Sequence, residues 1–353
     1  MRYPEFLPQN GTIGFVAPSF GCAGEPYYSA FVNAQRKFKG LGYGLKLGPN
    51  CYEAKGVGIS NTPEACAEEI MEYYCSEEND CLISCGGGEL MCEILSFIDF
   101  DRMKQARPKW YMGYSDNTNM TYLLATLCDT ASIYGPCAAA FGMEPWHSSL
   151  DDAMGLLSGK KDKEGKLVVR GYGKWERESL KNEDNPLAPY NVTQDLDIKV
   201  FLGRQKLEKT DQTVNFRGRL LGGCMDCLVN LLGTRFDKTH AFIEKYKKDG
   251  IIWFLEACDL NVFAIRRAMW QMEEAGWFQY VKGFLIGRPL CLGQEIMGLD
   301  AYGAVLKAAS RHNVPVVMDV DLGHLPPMMP VVVGSIGEVS VQGNNIALDY
   351  RLQ

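Results

Sequence analysis

The chain has 353 residues, 46% of them hydrophobic and 22% charged, which is typical of a folded globular protein rather than a disordered one. Its formal net charge of −7 argues against nucleic-acid binding as its main activity, because that binding needs clustered Lys and Arg. No apolar run reaches the roughly 18 residues of a membrane helix, and the first residues have no apolar signal segment. We therefore expect a cytoplasmic protein that binds neither nucleic acid nor a membrane, with its 13 cysteines reduced.

The first half alternates short apolar runs with amphipathic stretches. We predict strands at residues 12–17, 81–85 and 110–114, and helices at residues 27–41, 62–75 and 117–127. Pro63, near the start of the second helix, fits the usual N-terminal helix signal. Strands that alternate with helices predict an α/β fold with a mainly parallel sheet covered on both faces.

Between about residues 158 and 216 the chain becomes polar and loses its periodicity. We interpret this segment as a linker and long polar loop between an N-terminal α/β domain, residues 1–157, and a C-terminal domain, residues 217–353. Long loops inside compact proteins are often functional, and the aromatic Trp175 makes this one a candidate substrate lid. In the C-terminal domain we predict strands at residues 251–255, 283–286 and 314–317, and helices at residues 263–272 and 301–309.

Ser115 lies in the motif Met112-Gly-Tyr-Ser-Asp-Asn117, where a predicted strand passes directly into a predicted helix. A serine on such a tight turn exposes its hydroxyl beyond the sheet edge, close to the free N–H groups of the new helix. The sequence lacks the second glycine of G-x-S-x-G, so this is not the lipase-type turn. Ser115 is therefore a candidate nucleophile, and the alternative is a helix-capping serine with no chemistry.

Histidine is scarce, with four in the chain, and His324 follows a predicted strand in the string Asp319-Val-Asp321-Leu-Gly-His324. Loops at the carboxyl ends of parallel strands collect functional groups, so His324 is the candidate general base. The same string is also compatible with a metal site, although one histidine without a second one nearby makes a poor ligand set.

Glu256 ends the apolar run at residues 251–255, where an unpaired carboxylate is costly to bury. It is a candidate to orient His324 and to stabilise the imidazolium. The alternative is a carboxylate satisfied by backbone donors or by Arg266 or Arg267.

Gly86, Gly87 and Gly88 follow the predicted strand at residues 81–85. Glycine permits close backbone approach, which suits either an oxyanion donor or an ordinary tight turn. The run matches neither G-x-G-x-x-G nor the P-loop, so a nucleotide cradle is poorly supported. The lone C-x-x-C at Cys224 and Cys227 has no second pair, so we interpret these cysteines as structural rather than zinc-binding.

Taken together, these features resemble the LD-carboxypeptidases and their relatives, the microcin C immunity peptidases. The resemblance spans nearly the whole chain through seven motifs in order: Gly11-Thr-Ile-Gly-Phe-Val-Ala-Pro-Ser19, Gly87-Gly88 with Ile94 to Asp99, Gly113-Tyr114-Ser115-Asp116, Gly218-Arg-Leu-Leu-Gly-Gly223, Phe254-Leu255-Glu256, Gly287-Arg288-Pro289 and Asp321-x-Gly323-His324. Two residues depart from the expected pattern: Leu90, where the carboxypeptidase branch tends to have a further glycine, and Cys224, where the family commonly has an asparagine.

The resemblance implies a serine hydrolase with the catalytic residues Ser115, Glu256 and His324. It also implies an oxyanion hole built from the backbone N–H groups of Gly88 or Gly87 and Asp116. The implied fold is a Rossmann-like or flavodoxin-like N-terminal domain followed by a C-terminal mixed β/α domain with barrel character. No cofactor or metal is implied, and the family usually forms homodimers.

Two substrate classes fit this resemblance. One is a peptidyl or aminoacyl sulfamoyl-adenylate, cleaved to give antibiotic resistance, and we favour it because the long segment around Trp175 resembles the extended loop of the immunity branch. The other is a muropeptide that loses its terminal D-alanine in peptidoglycan recycling. A protein that binds a small molecule without catalysis is the alternative from another class. Stacking on an adenine would make Trp175 a substrate-binding residue.

Overall fold

The computed structural model describes residues 1–209 and 212–352, so Thr210 and Asp211 of the predicted polar loop lie outside the described residues. The chain divides into two compact units. The first unit comprises Met1–Lys161, Glu178–Asn191 and Pro330–Val333. The second comprises Asp162–Arg177, Val192–Met329 and Gly334–Gln353.

In the described chain, strands alternate with helices in the first 158 residues and again between residues 214 and 320, whereas the strands of residues 167–224 and of residues 315–351 follow one another without a helix. The strands are β1 (Thr12–Val16), β2 (Gly44–Leu47), β3 (Cys81–Ser84), β4 (Trp110–Gly113), β5 (Ser132–Tyr134), β6 (Leu167–Arg170), β7 (Lys174–Glu176), β8 (Val192–Asp195), β9 (Lys199–Leu202), β10 (Gln205–Lys206), β11 (Val214–Cys224), β12 (Ile251–Glu256), β13 (Val281–Gly287), β14 (Pro315–Val320), β15 (Val331–Val333), β16 (Ile336–Gln342) and β17 (Asn345–Arg351). The α-helices are α1 (Tyr27–Gly40), α2 (Pro63–Cys75), α3 (Phe100–Gln105), α4 (Thr118–Thr126), α5 (Ser148–Ser158), α6 (Met225–Leu231), α7 (Thr239–Lys245), α8 (Val262–Glu274) and α9 (Ala301–Ala309).

The first unit contains a six-stranded sheet in the order β15-β5-β4-β3-β1-β2. All neighbours are parallel except β15, which runs antiparallel to β5. Every residue of β3 and β4 is buried, because the faces of a parallel sheet are covered by its connecting helices. The predicted parallel sheet is confirmed.

The second unit contains a nine-stranded sheet in the order β10-β9-β14-β13-β12-β11-β16-β17-β6. Its centre, β11 to β14, is parallel, and the strands on both sides of this centre pair antiparallel. The core of this unit includes Trp253 and Trp277, whose stacked rings have centroids 5.6 Å apart. The prediction of a mixed β/α C-terminal part is confirmed.

Residues 158–216 are not the linker and loop that their composition predicts. They contain β6 to β10 and the start of β11, and β6 and β9 extend the sheet of the second unit. β7 and β8 form a separate two-stranded sheet, while residues 178–191 belong to the first unit. β6 to β10 have only two to four residues each, and all of them except β9 carry an exposed charged side chain, so they show no clear apolar alternation.

All 13 cysteines lie in the described ranges, none of them forms a disulfide, and most of them are buried. Burial raises the pKa of the Cys137 thiol to about 12, which keeps it protonated. Cys224 and Cys227 lie at the start of α6, in packed surroundings. No helix in residues 1–209 and 212–352 is long and apolar enough to cross a membrane.

α8 begins at a side-chain cap, because the Oδ1 atom of Asn261 accepts a hydrogen bond of 2.9 Å from the backbone N–H of Ala264. We expect Asn261→Ala to lower the free energy of unfolding by about 1 kcal/mol, since that N–H loses its partner. Urea denaturation measures the change. Asn261→Asp keeps the acceptor and should retain most of the stability, so an equal loss in both variants would contradict the capping role.

Candidate active site

Ser115 lies on a strained turn at the carboxyl end of β4. Tyr114 follows the strand, and residues Ser115–Asn117 form one short 3-10 turn that leads into α4. Ser115 itself has φ +62°, a left-handed conformation that non-glycine residues adopt at a cost. Its backbone N–H donates to the Tyr134 hydroxyl at 3.1 Å. This is the sharp strand-to-helix turn that the sequence predicts, with the serine half-buried rather than enclosed.

Asn117 fixes this turn against the glycine loop. Its fully buried Nδ2 donates to the carbonyl oxygens of Gly86 at 2.8 Å and Tyr114 at 3.1 Å. Its Oδ1 accepts from the Tyr111 hydroxyl. This role of Asn117 was not predicted from the sequence. A polar side chain next to a buried strand end needs hydrogen-bond partners inside the protein, and that signal could have indicated it.

The glycine loop packs directly on Ser115. A Cβ at Gly87 would lie 3.1 Å from Cβ and 3.3 Å from Oγ of Ser115, so a side chain there would crowd the hydroxyl. Gly88 has φ +159°, and a Cβ there would lie 2.1 Å from Oγ of Ser19. The structure thus brings Gly87 beside Ser115 and requires glycine at residue 88.

Asp116 connects the turn to the loop that follows β1. Its Oδ2 accepts from Oγ of Ser19 at 2.5 Å and from the backbone N–H of Met91 at 2.8 Å. Its Oδ1 accepts from Nδ2 of Asn119 at 3.0 Å. Burial raises the pKa of this carboxyl, and the bonds from Ser19 and Met91 partly oppose that shift. The Asp116 side chain therefore holds the turn in place. Only the backbone N–H of Asp116 is predicted to act in an oxyanion hole.

In the second unit, His324 is paired with Glu256. Nδ1 of His324 lies 2.9 Å from Oε2 of Glu256, whose side chain is 1% exposed. Glu256 is the last residue of β12, and His324 follows β14. Of the alternative partners for Glu256, Arg266 donates instead to the carbonyl oxygen of Gly303 at 2.6 Å, and Arg267 is exposed.

Two opposing influences act on the pKa of His324. Burial alone lowers this pKa, because it disfavours the charged imidazolium. The neighbouring Glu256 carboxylate and the Cys258 side chain outweigh burial and raise the pKa well above its usual range. The pair therefore stabilises an imidazolium, as a base that accepts a proton from a nucleophile requires.

Asp319 and Asp321, the two aspartates before His324, each bind other side chains of the protein. Oδ2 of Asp319 lies 2.7 Å from Nζ of Lys199 and accepts from the Tyr302 hydroxyl at 2.7 Å. Asp321 forms a buried ion pair of 2.7 Å with Arg288. The acidic residues of this string, for which a metal site was the alternative, thus bind separate protein groups. Within the described ranges no cluster of His, Cys, Asp or Glu is arranged to hold a metal.

Trp175 lies in β7 and is only 7% exposed. The guanidinium carbon of Arg288 lies 5.0 Å from its ring centroid, and its Nε1 donates to the carbonyl oxygen of Asp195 at 3.3 Å. Stacking of a substrate on Trp175 stays a prediction, and in this conformation the ring packs against protein.

Two features are typical of a peptidase or related hydrolase. One is a serine on a strained strand-to-helix turn, the other is a buried His–Glu pair, and each lies in an α/β unit. The chain belongs to the LD-carboxypeptidase family: residues 13–135 match the LD-carboxypeptidase N-terminal domain and residues 217–339 match the C-terminal domain. The family predicted from the sequence motifs is thereby confirmed.

Relatives from the immunity branch cover almost the whole chain. The microcin C7 self-immunity protein MccF of Escherichia coli is 24% identical over 352 residues, 97% of this chain and 94% of that protein. An MccF-like protein of Bacillus anthracis has a TM-score of 0.81 at 18% identity, covering 99% of this chain and 100% of that one. MccF in complex with glutamyl sulfamoyl guanosine has a TM-score of 0.77 at 19% identity, covering 99% of this chain and 98% of that one. The similarity to the two solved structures establishes a shared fold.

Gly323 lies against the His–Glu pair, because with φ +93° a Cβ there would lie 2.6 Å from Oε2 of Glu256. We expect Gly323→Ala to displace this carboxylate and lower the pKa of His324, which NMR titration of the histidine ring measures. Gly343→Ala is the matched control, since Gly343 also has a positive φ, +59°, but no atom within 4 Å of its Cβ position. A His324 titration in Gly323→Ala that matches wild type would contradict the close contact.

Proposed function

We propose that the protein is a serine peptidase or amidase that uses Ser115 as nucleophile, His324 as general base and Glu256 as the residue that orients His324. Ser115 attacks an amide carbonyl while Nε2 of His324 accepts its proton. The imidazolium then protonates the leaving amine, and water activated by the same histidine hydrolyses the acyl-enzyme. Backbone N–H groups of Gly87 or Gly88 and Asp116 would stabilise the oxyanion, each contributing about 3 kcal/mol.

The observation that carries this proposal is the 2.9 Å bond between Nδ1 of His324 and the buried Glu256 carboxylate. A carboxylate on Nδ1 selects the tautomer whose Nε2 accepts a proton, and its charge stabilises the imidazolium. The strained Ser115 turn supports the same function, because it holds a hydroxyl at the end of a parallel strand.

For the substrate we propose a peptidyl or aminoacyl sulfamoyl-adenylate. Support comes from MccF, a microcin self-immunity protein that matches 97% of this chain, and from the complex of MccF with glutamyl sulfamoyl guanosine. Such a compound has an amide-like acyl bond for Ser115 to attack. Cleavage would separate the aminoacyl group from the sulfamoyl nucleoside and so remove the toxic compound.

A muropeptide with a terminal D-alanine is the second candidate substrate, favoured by the match of both parts of the chain to LD-carboxypeptidase domains. Ser115 would then attack the carbonyl that precedes the terminal residue. For either substrate we also propose a cytoplasmic location, which the composition and the cysteines favour, and a homodimer that acts without a cofactor, which the family resemblance implies.

The deciding experiment incubates the protein with glutamyl sulfamoyl adenosine and, separately, with an L,D-tetrapeptide muropeptide, and follows the products by mass spectrometry. We expect cleavage of the sulfamoyl compound, and near-complete loss in Ser115→Ala and His324→Ala, since loss of a triad member lowers kcat by several orders of magnitude. Glu256→Gln should lower kcat less than these, because the base remains.

Cleavage of the muropeptide and not of the sulfamoyl compound would show that the second candidate is the substrate. If Ser115→Ala or His324→Ala kept more than about a tenth of wild-type kcat, the proposed catalytic residues would be rejected. Binding without hydrolysis of either compound would instead indicate a protein that binds small molecules without catalysis.

The raised pKa of His324 predicts the pH dependence of hydrolysis. The base must be neutral, so kcat/KM should rise with pH through a pKa above the usual histidine value of about 6.5. Glu256→Gln removes the charge that raises this pKa, and the acidic limb should shift to lower pH while the plateau falls. Rate profiles from about pH 5 to 9 measure both effects, and an unmoved limb in Glu256→Gln would argue against this pairing.

A further inference from the structure

The loop that carries His324, residues 319–325, has an irregular backbone. From Asp321 onward it lies outside helices and strands. Two of its residues have positive φ, Asp319 at +63° and Gly323 at +93°. A backbone of this kind persists only where surrounding groups over-determine it, so the position of His324 depends on the partners of this loop.

Arg288, the residue after β13, donates three hydrogen bonds to this loop. Its Nη1 donates to the carbonyl oxygen of Asp319 at 2.8 Å. Its Nη2 donates to Oδ1 of Asp321 at 2.7 Å and to the carbonyl oxygen of Leu325 at 3.2 Å. These bonds begin five residues before His324 and end one residue after it, so one guanidinium holds the loop on both sides of the histidine.

The ion pair between Arg288 and Asp321 is almost fully buried, with side-chain exposures of 1% and 0%. Such a pair needs further hydrogen bonds to offset the desolvation of both charges. Asp321 has one through Oδ2, which accepts from the backbone N–H of Tyr172 at 2.9 Å. Removing either charge would leave the other buried without compensation.

The segment of residues 172–176 extends this arrangement. Besides the Tyr172 bond, the Trp175 ring lies against the Arg288 guanidinium, and the backbone N–H of Glu176 donates to the carbonyl oxygen of Pro326 at 2.7 Å. A planar cation over an aromatic face is a favourable contact. Part of the polar segment thus braces both Arg288 and the chain that follows His324.

We propose that Arg288 is a positioning residue that holds His324 at hydrogen-bond distance from Glu256. It acts through its ion pair with Asp321, and residues 172–176 support both members of that pair. The proposal rests on the proposed function, in which His324 is the general base. Arg288 acts on the reaction through the loop backbone and Asp321. Its planar fork of donors serves three oxygens at once, which a lysine ammonium on a flexible stem does not reproduce.

Arg288→Lys is the test variant, because it keeps the charge beside Asp321 but loses the fork. We expect kcat to fall roughly 10- to 100-fold, as for a catalytic group displaced by about 1 Å, with KM within about twofold of wild type. The pKa of His324, followed by NMR titration without substrate, should fall by about half a unit or more as the Glu256 pair loosens.

Arg219→Lys is the matched control in the same unit. Arg219 is 4% exposed, pairs with Asp249 at 2.6 Å and donates to the carbonyl oxygen of Gly334, so it is a buried arginine of the same kind. It lies five residues before Cys224 on β11, about 16 Å from the strand end beside Glu256. We expect the kcat and the His324 titration of this variant to match wild type.

Asp321→Asn is the second variant and decides the matter if Arg288→Lys does not fold. Its amide oxygen still accepts from Arg288, but its amide nitrogen faces the Tyr172 N–H, so the link to residues 172–176 is lost. The same directions of change are expected. A folded Arg288→Lys or Asp321→Asn with unchanged kcat and unchanged His324 titration overturns the proposal, as does an equal effect in Arg219→Lys.

Failure of the proposed function gives a different result. If the wild type hydrolyses neither substrate, the enzyme proposal fails, while the NMR titration still shows whether Arg288 controls the pairing of His324 with Glu256.

Discussion

The parallel register of β11 to β14 is the constraint on which the second unit depends. Cys224 pairs with Glu256, and Gly287 pairs with Val320, so these strands end together at one edge of the sheet. The carboxyl edge of a parallel sheet is where functional loops collect. Glu256 at the end of β12 and the loop after β14 therefore leave the same edge of the sheet, with the end of β13 between them. Gly287 at that end lets them approach each other, because a Cβ there would lie 2.4 Å from the carbonyl oxygen of Leu322 and 3.0 Å from Cβ of Glu256.

Both units hold a non-glycine residue in a left-handed conformation at a strand end, and they stabilise it by different chemistry. Around Ser115 the supporting groups are mostly neutral, led by the buried amide of Asn117, which bridges two backbone carbonyls. Around Asp319 they are charged, led by Lys199 on its side chain and Arg288 on its carbonyl. A neutral network costs less to bury, whereas an ionic one is more damaging to break. We infer that the histidine loop is the more sensitive of the two to single substitutions.

The sequence predicts the elements that are buried, long or strongly periodic. The apolar run at residues 251–255 became β12, and α9 has the predicted limits, because both bury continuous apolar surface. The strands β6 to β10 were not predicted, because they are strands through pairing with distant parts of the chain and not through their own hydrophobic pattern. The candidate site residues could be proposed from strand ends, but the partners of Arg288 could not, since they lie 31 to 37 residues away in sequence. The burial of Trp175 against Arg288 could not be predicted either, because the segment around it is polar.

The buried Glu69 and His324 make the folded state less stable as the pH rises, while the proposed activity increases. Burial raises the pKa of Glu69 from its usual 4.5 to about 7, against the opposing bonds from the N–H groups of Ala17 and Asn50. The folded state then binds more protons than the unfolded one between those values, so stability falls by up to about 3 kcal/mol as pH rises through this window. His324 acts in the same direction, since its stabilising charge is present below the unfolded pKa of about 6.5 and is lost as pH rises through its higher folded value. The proposed base becomes active by losing that proton. The pH at which the enzyme works fastest should therefore lie above the pH at which it is most stable.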